Sequence, residues 1–191
     1  MRGFITGVLL TLAVMIAGSY EYLHLGKFPI GADNPPGSVE RWLANMAVDE
    51  YVARNAPKQD NPMQANAQNL SAGARLYEQN CSYCHGGLLQ RISPMRTKFN
   101  PPVPQLLNHI PGDPDSHLFW VAKHGIRLSG MPSWADILND NQIWQVIAFV
   151  KHSANLPPEA QEAWRQAAAP AMSNSAPSST APTTSGSQPQ R

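Results

Sequence analysis

Apolar positions along this chain recur at helical intervals or run together without a break. No stretch of useful length alternates with the two-residue period of a half-buried strand. The longest apolar run extends from Phe4 to Tyr20, interrupted only by Thr6, Thr11 and Ser19. A second pattern, over about Val39–Asn55, puts Val39, Trp42, Leu43 and Met46 on one helical face and Glu40, Arg41, Asp49 and Glu50 elsewhere. Ser71 is placed to cap a helix running from Ala72 to Asn80. Asp113-Pro114 reads as an N-cap followed by proline at the first helical position, with Leu118, Phe119, Val121 and Ala122 as the apolar face and Gly125 as the stop. Asn139 and Gln142 form a capping box ahead of Ile143, Val146, Ile147 and Val150, which share a face. A shorter helix is expected over residues 158–169. The fold class these patterns predict is all-α.

The same patterns divide the chain. Residues 1–25 are a membrane anchor or signal segment, and residues 26–69 a linker holding one amphipathic helix. Residues 70–156 form the main domain, 157–169 the short helix, and 170–191 a tail rich in Ala, Ser, Thr and Pro. That tail buries too little apolar surface to offset ordering and is expected to be disordered. The apolar run behind Arg2 has 17 residues, the lower limit for a bilayer span and within reach of a signal peptide. Ala17-Gly18-Ser19 offers a small-x-small cleavage site, whereas Tyr20 and Tyr22 suit interfacial anchors and favour an uncleaved helix. Arg2 then stays on the cytoplasmic side, and the rest of the chain is exported. The expected location is the cell inner membrane, single-pass, with the main domain on the periplasmic side; cleavage would make it soluble there.

Chemistry enters at Cys81-Ser82-Tyr83-Cys84-His85, which has the C-x-x-C-H form of covalent haem c attachment. Two thiols three positions apart can each add across a haem vinyl group. The adjacent imidazole is then carried under the ring, where a nitrogen binds iron. Gly86 and Gly87, lacking Cβ, let the backbone run close to the macrocycle. A disulfide, a thioredoxin-like pair or half a zinc site are the competing readings. No third Cys is available for zinc, and no β-rich run precedes the motif as a redox pair would require.

The second axial position decides between an electron carrier and an enzyme. Met131 lies 46 residues after His85 in Ser129-Gly130-Met131-Pro132, where Gly130 permits a tight path and Pro132 holds Met131 extended. A thioether favours ferrous iron and raises the potential. Met95, in a Ser-Pro-Met-Arg setting, is a rival of similar type, and His109, His117 and His124 are nitrogen alternatives. Between His85 and Met131 the chain carries Arg91, Arg96, Lys98, Lys123 and Arg127 against Asp113 and Asp115, five minus two or +3, where the whole chain is +1. This excess serves either to compensate the haem propionates or as a rim steering an acidic partner. Nothing resembles a nucleic-acid surface, since no basic run is interleaved with aromatics.

On these two motifs the chain resembles the monohaem cytochrome c family with His/Met ligation. The resemblance implies a cytochrome c-like helical domain around one covalently bound haem c, preceded here by the N-terminal membrane helix, and an electron-transfer role. Cys81 and Cys84 would carry the haem, and His85 and Met131 would ligate its iron. It further implies that a prolyl carbonyl holds the proximal imidazole; Pro104 is the choice, with Pro101 and Pro102 competing. Gly73 and Tyr77 would meet Trp144 or Phe149 where the first and last helices cross. Pro104, Gly130 and Pro132 are thus the supporting residues of the site.

The leading expectation is a membrane-tethered carrier of single electrons whose partners are redox proteins, among them a membrane dehydrogenase or oxidase complex. The alternative is a haem c enzyme or sensor, peroxidase-like or ligand-binding, with a displaceable distal Met and with His124 or Arg127 as polar groups. A domain this small has a modest core, so the haem-free form is expected to be poorly folded.

Overall fold

The structure, a computed structural model, describes residues 1–174, and no strand occurs among them. Seven α-helices follow in order: α1 (Arg2–His24), α2 (Ser38–Asn55), α3 (Ala67–Asn80), α4 (Ser82–His85), α5 (Asp115–His124), α6 (Asp140–His152) and α7 (Pro158–Asn174). A 3-10 turn, Pro94–Thr97, lies in the long connection between α4 and α5.

The core forms where α3 crosses α6 and α7. Gly73 makes the first crossing possible: a Cβ there would lie 2.1 Å from the Gln145 carbonyl oxygen and 2.9 Å from the Phe149 Cβ. Tyr77 and Phe149, both fully buried, then meet with ring centroids 5.3 Å apart. Phe149 is therefore the aromatic that receives α3. Trp144 points into a second cluster, stacked on Phe119 at 4.1 Å with Ile143, Ile147 and Leu138 around it. The Asn139–Gln142 capping box opens α6, with both reciprocal bonds formed.

Three helix ends differ from the sequence expectation. α3 begins at Ala67, because the Asn66 side chain accepts from the Asn69 amide; Ser71 lies inside the helix and is buried. Pro114 is the N-cap of α5, with an extended ψ of 145°, so the helix starts one residue later than Asp113 capping implies. α7 continues through Pro170 to Asn174, beyond the expected end at residue 169. The first five residues assigned to the disordered tail are thus helical, while residues 175–191 lie outside the described residues.

α7 is a core element. Ala160, Ala163, Trp164 and Ala168 are buried, and Trp164 meets Phe149 edge-on at 5.1 Å while its Nε1 donates to Glu78 Oε2 at 2.6 Å. The polar segment before α3 wraps the domain. Asn61 Nδ2 donates to the Trp144 carbonyl at 3.1 Å and to Asp115 at 3.3 Å.

α2 attaches to the domain only by one end and one side, through buried Val52 and Ala56 and an edge contact of Tyr51 with Trp120 of α5. None of α1 is buried. Its 23 residues rise about 34 Å at 1.5 Å each, enough for a hydrocarbon layer of about 30 Å. With a mean hydropathy of 1.8 near the N-terminus, it meets the criteria of a membrane span and of a signal sequence alike.

Candidate haem site

The C-x-x-C-H run is folded as a continuation of α3. Cys81 is the residue that ends α3 and starts α4, and its carbonyl accepts from the amides of Cys84 at 3.2 Å and His85 at 2.9 Å. One helical turn between the thiols puts both on the same face. They are free and half-buried. Burial pushes the Cys81 thiol up to about 12, with the nearby Cys84 adding to the rise. A thioredoxin-like pair needs the opposite, a thiol lowered toward neutrality so that thiolate can attack.

The His85 imidazole is oriented from behind. Its Nδ1 lies 2.8 Å from the Pro104 carbonyl oxygen. Because a carbonyl only accepts, Nδ1 carries the proton, and Nε2 is the nitrogen with a free lone pair. Burial lowers the His85 pKa below its usual 6.5, against a smaller opposing effect of the Pro104 bond, so the ring is neutral at neutral pH. Among the three prolines considered, Pro104 is the one bonded to this ring.

Pro104 is held in turn by its neighbour. Gln105 is buried, and its Nε2 donates to the Cys84 carbonyl at 3.2 Å and the Val103 carbonyl at 2.9 Å. Its Oε1 accepts from the Ser93 amide at 2.5 Å. Ser93 Oγ donates to the Tyr83 carbonyl. One glutamine therefore ties the motif, the 3-10 turn and the proline loop together. Sequence reasoning missed it; a Gln beside the proline in an otherwise apolar run was the available signal.

The glycines after the motif are required by the protein's own packing. Gly86 takes a φ of +85°, and a Cβ there would lie 2.3 Å from the Arg91 carbonyl oxygen. At Gly87 a Cβ would meet Glu78 at 2.7 Å and Ser82 at 2.9 Å. Both positions are closed by the chain's own backbone and side chains. Across this turn the Tyr77 hydroxyl donates to the Gly86 carbonyl at 2.7 Å.

Met131 sits in the turn after α5. Its amide donates to Ser129 Oγ at 3.1 Å, its carbonyl accepts from Ile126 at 3.1 Å, and its side chain is half-buried. Gly130 lies against the Phe99 ring, which a Cβ would approach to 2.4 Å. Gly125, with φ +69°, lets the Met131–Pro132 backbone pass at less than 3 Å from where its Cβ would be. The turn also holds Leu128, the only non-glycine at positive φ among the described residues (60°), at 94% exposure. Met95 is half-buried on the 3-10 turn, His109 and His124 are exposed, and His124 leans on Trp120 at 4.8 Å. No cluster of His, Cys, Asp or Glu suited to a bare metal ion occurs among the described residues.

The donor set fits covalently held haem. Two free thiols share one face, and beside them stands a neutral imidazole with one nitrogen engaged and the other open. The basic excess divides: Lys123 pairs with Asp140 at 2.7 Å and Arg91 lies over Trp164 at 5.2 Å, whereas Arg96, Lys98 and Arg127 are exposed.

Residues 68–150 match the family described as cytochrome c oxidase, cbb3-type, subunit III. This stretch of the chain is a cytochrome c domain, in line with the resemblance to the monohaem cytochrome c family carried by the two motifs, and such a domain points to haem-based electron transfer. The match takes in α3 to α6 and leaves α1, α2 and α7 outside. No curated protein and no solved structure matches the chain.

Proposed function

We propose that the chain is a membrane-tethered cytochrome c with one haem, passing single electrons between redox partners on the exported face of the inner membrane. The observation that carries the reading is the arrangement of Cys81, Cys84 and His85 on one turn, with Pro104 behind the imidazole. Cys81 and Cys84 would hold the haem through thioethers, and His85 would offer Nε2 to its iron. Haem c bound there supplies a one-electron ferric/ferrous couple. Pro104 fixes the tautomer and angle of His85, and Gln105 fixes Pro104, so the proximal side is set before any partner arrives. Met131 would supply the second ligand, with Gly130 and Pro132 shaping its turn. A thioether there makes the site a carrier, because no position is left for substrate.

The partner class follows from the domain and the tether. The matching family is named for an oxidase subunit, and α1 is long and apolar enough to keep the domain at a membrane. Both support a membrane oxidase or dehydrogenase complex as the partner, with α1 retained as an anchor.

A reduced-minus-oxidised visible spectrum of the purified membrane protein, with its pyridine adduct, tests the haem and its number. Pigment extracted by acidified acetone would overturn covalent attachment. Met131→Ala should abolish the thioether-to-iron band of the oxidised form. Rapid binding of carbon monoxide to the reduced wild type at neutral pH would favour the enzyme or sensor alternative.

A further inference from the structure

Helix α2 has two faces, and only one is used by its own domain. Val48 and Val52 turn inward, half-buried and buried respectively. Val39 and Leu43 stand nine residues before them, about half a turn round a helix of 3.6 residues per turn. Together with Trp42 and Met46 they make an outward stripe, with exposures of 73% (Val39), 62% (Trp42), 52% (Leu43) and 41% (Met46). Large apolar side chains gathered on a solvent-facing stripe mark an interaction surface more often than a scattered exposed residue does. None of these four side chains belongs to either core cluster.

Resting on the tethered-carrier reading, we infer that this stripe docks the chain onto an integral membrane protein. That protein presents, on the exported side, an apolar groove with basic margins. Three observations select this occupant. The linker from α1 to α2 is only residues 25–37, so whatever covers α2 lies at the membrane face. Glu40 and Asp49 flank the stripe on its two sides, exposed and without an ion pair among the described residues, while Glu50 is matched by Arg54 at 3.3 Å. A helix lying on anionic lipid carries Lys and Arg on its flanks; α2 has no Lys, its Arg41 lies on the side away from the stripe and donates to the Pro36 carbonyl, and its Arg54 is paired with Glu50. A second copy meeting the stripe symmetrically would set acidic margin against acidic margin. Basic margins on a different protein satisfy both.

The surface is also well placed for electron exchange. Asn100 Nδ2 donates to the Asn34 carbonyl at 2.9 Å, fastening the linker beside Phe99, against which Gly130 lies. Val39 stands five positions after Asn34, at most about 18 Å along the chain. The first turn of α2 is thus tied, through the linker, to the side of the domain that carries Phe99 and the Met131 turn.

The test uses the full chain expressed in its host membrane and solubilised in mild detergent. Native electrophoresis of the wild type should place it in an assembly with an integral membrane polypeptide that carries its own redox cofactor. The W42D/L43D pair should run at the mass of the free chain while keeping its haem spectrum and its membrane retention after a salt wash. Should the Asp pair cost haem or retention, W42A/L43A removes contact area without adding charge and carries the same expectation. E40K/D49K should likewise release the chain. Comigration of the stripe variants with wild type overturns the inference. So does a wild type that runs at twice its own mass, or gain of amide-exchange protection in α2 when the purified chain is moved into lipid nanodiscs alone. The haem spectrum of the same fractions separates this outcome from failure of the carrier reading.

Discussion

The Tyr77 hydroxyl donates to the Gly86 carbonyl at 2.7 Å, joining the last turn of the first core helix to the residue after the haem-motif histidine. The bond is buried, and the ring that carries it packs on Phe149. Tyr77→Phe keeps the ring but leaves the carbonyl without its donor, at a cost of about 1–2 kcal/mol. The guanidinium midpoint of the haem-loaded protein should fall accordingly, with the visible spectrum nearly unchanged. An unaltered midpoint would show that water replaces the hydroxyl.

Gly73 is the position where α3 and α6 come closest. Gly73→Ala favours helix locally, yet its methyl must displace the Gln145 carbonyl, which is backbone and cannot rotate away. Overpacking of this kind costs about 1–3 kcal/mol, more than the helix propensity gained. A thermal melt of the holoprotein should therefore shift down; an upward shift would mean that the crossing relaxes freely.

Trp164 tests whether α7 belongs to the domain. It covers Phe149, receives Arg91 on its face and donates to Glu78. Trp164→Ala should cost about 3–5 kcal/mol, even though the residue lies 14 positions beyond the matched family segment. Urea unfolding of the holoprotein checks this, and a loss below about 1 kcal/mol would mean that α7 is dispensable.

Leu128 occupies a left-handed backbone at φ 60° and spends its side chain on solvent. That conformation costs a non-glycine residue about 1–2 kcal/mol, part of which glycine returns as chain entropy. Leu128→Gly should raise stability by about 0.5–1 kcal/mol in denaturant titration. A partner that uses Leu128 as a contact would show reduced association in the same variant.

Burial lowers the His85 pKa from its ordinary 6.5. When the folded value lies below the unfolded one, the unfolded chain binds more protons in the interval between them. The stabilisation from neutral His85 is then fully present above about pH 6.5 and is lost as pH falls through the lowered folded value. In the haem-loaded protein iron would compete with the proton for Nε2 and move this loss further into acid, so an acid titration followed in the Soret band should show the low-spin form intact at pH 6.5. Loss already centred near pH 6.5–7 would contradict it.

Removing the haem should remove much of the fold. With both thiols replaced, Cys81→Ala and Cys84→Ala, the domain loses the largest apolar body available to its small core. Calorimetry of the exported double variant should show no cooperative transition in residues 70–156; a sharp transition would mean that α3, α6 and α7 suffice.

What the sequence determined by itself was local: helices signalled by 3.6-residue periodicity and by the Asn139–Gln142 box, and the haem motif, whose chemistry needs its residues adjacent in the chain. These are short-range facts, and they survive because the forces behind them act over one or two turns. The tertiary structure decided what depends on distant partners. It gave Phe149 rather than Trp144 to Gly73 and Tyr77, brought α7 into the core through Trp164, and bonded Pro104 rather than Pro101 or Pro102 to His85. It also set Gln105 behind that proline and turned the α2 stripe outward. In each case several residues of the right type lay within reach along the chain, and only close packing, which admits one arrangement of backbones, selected among them.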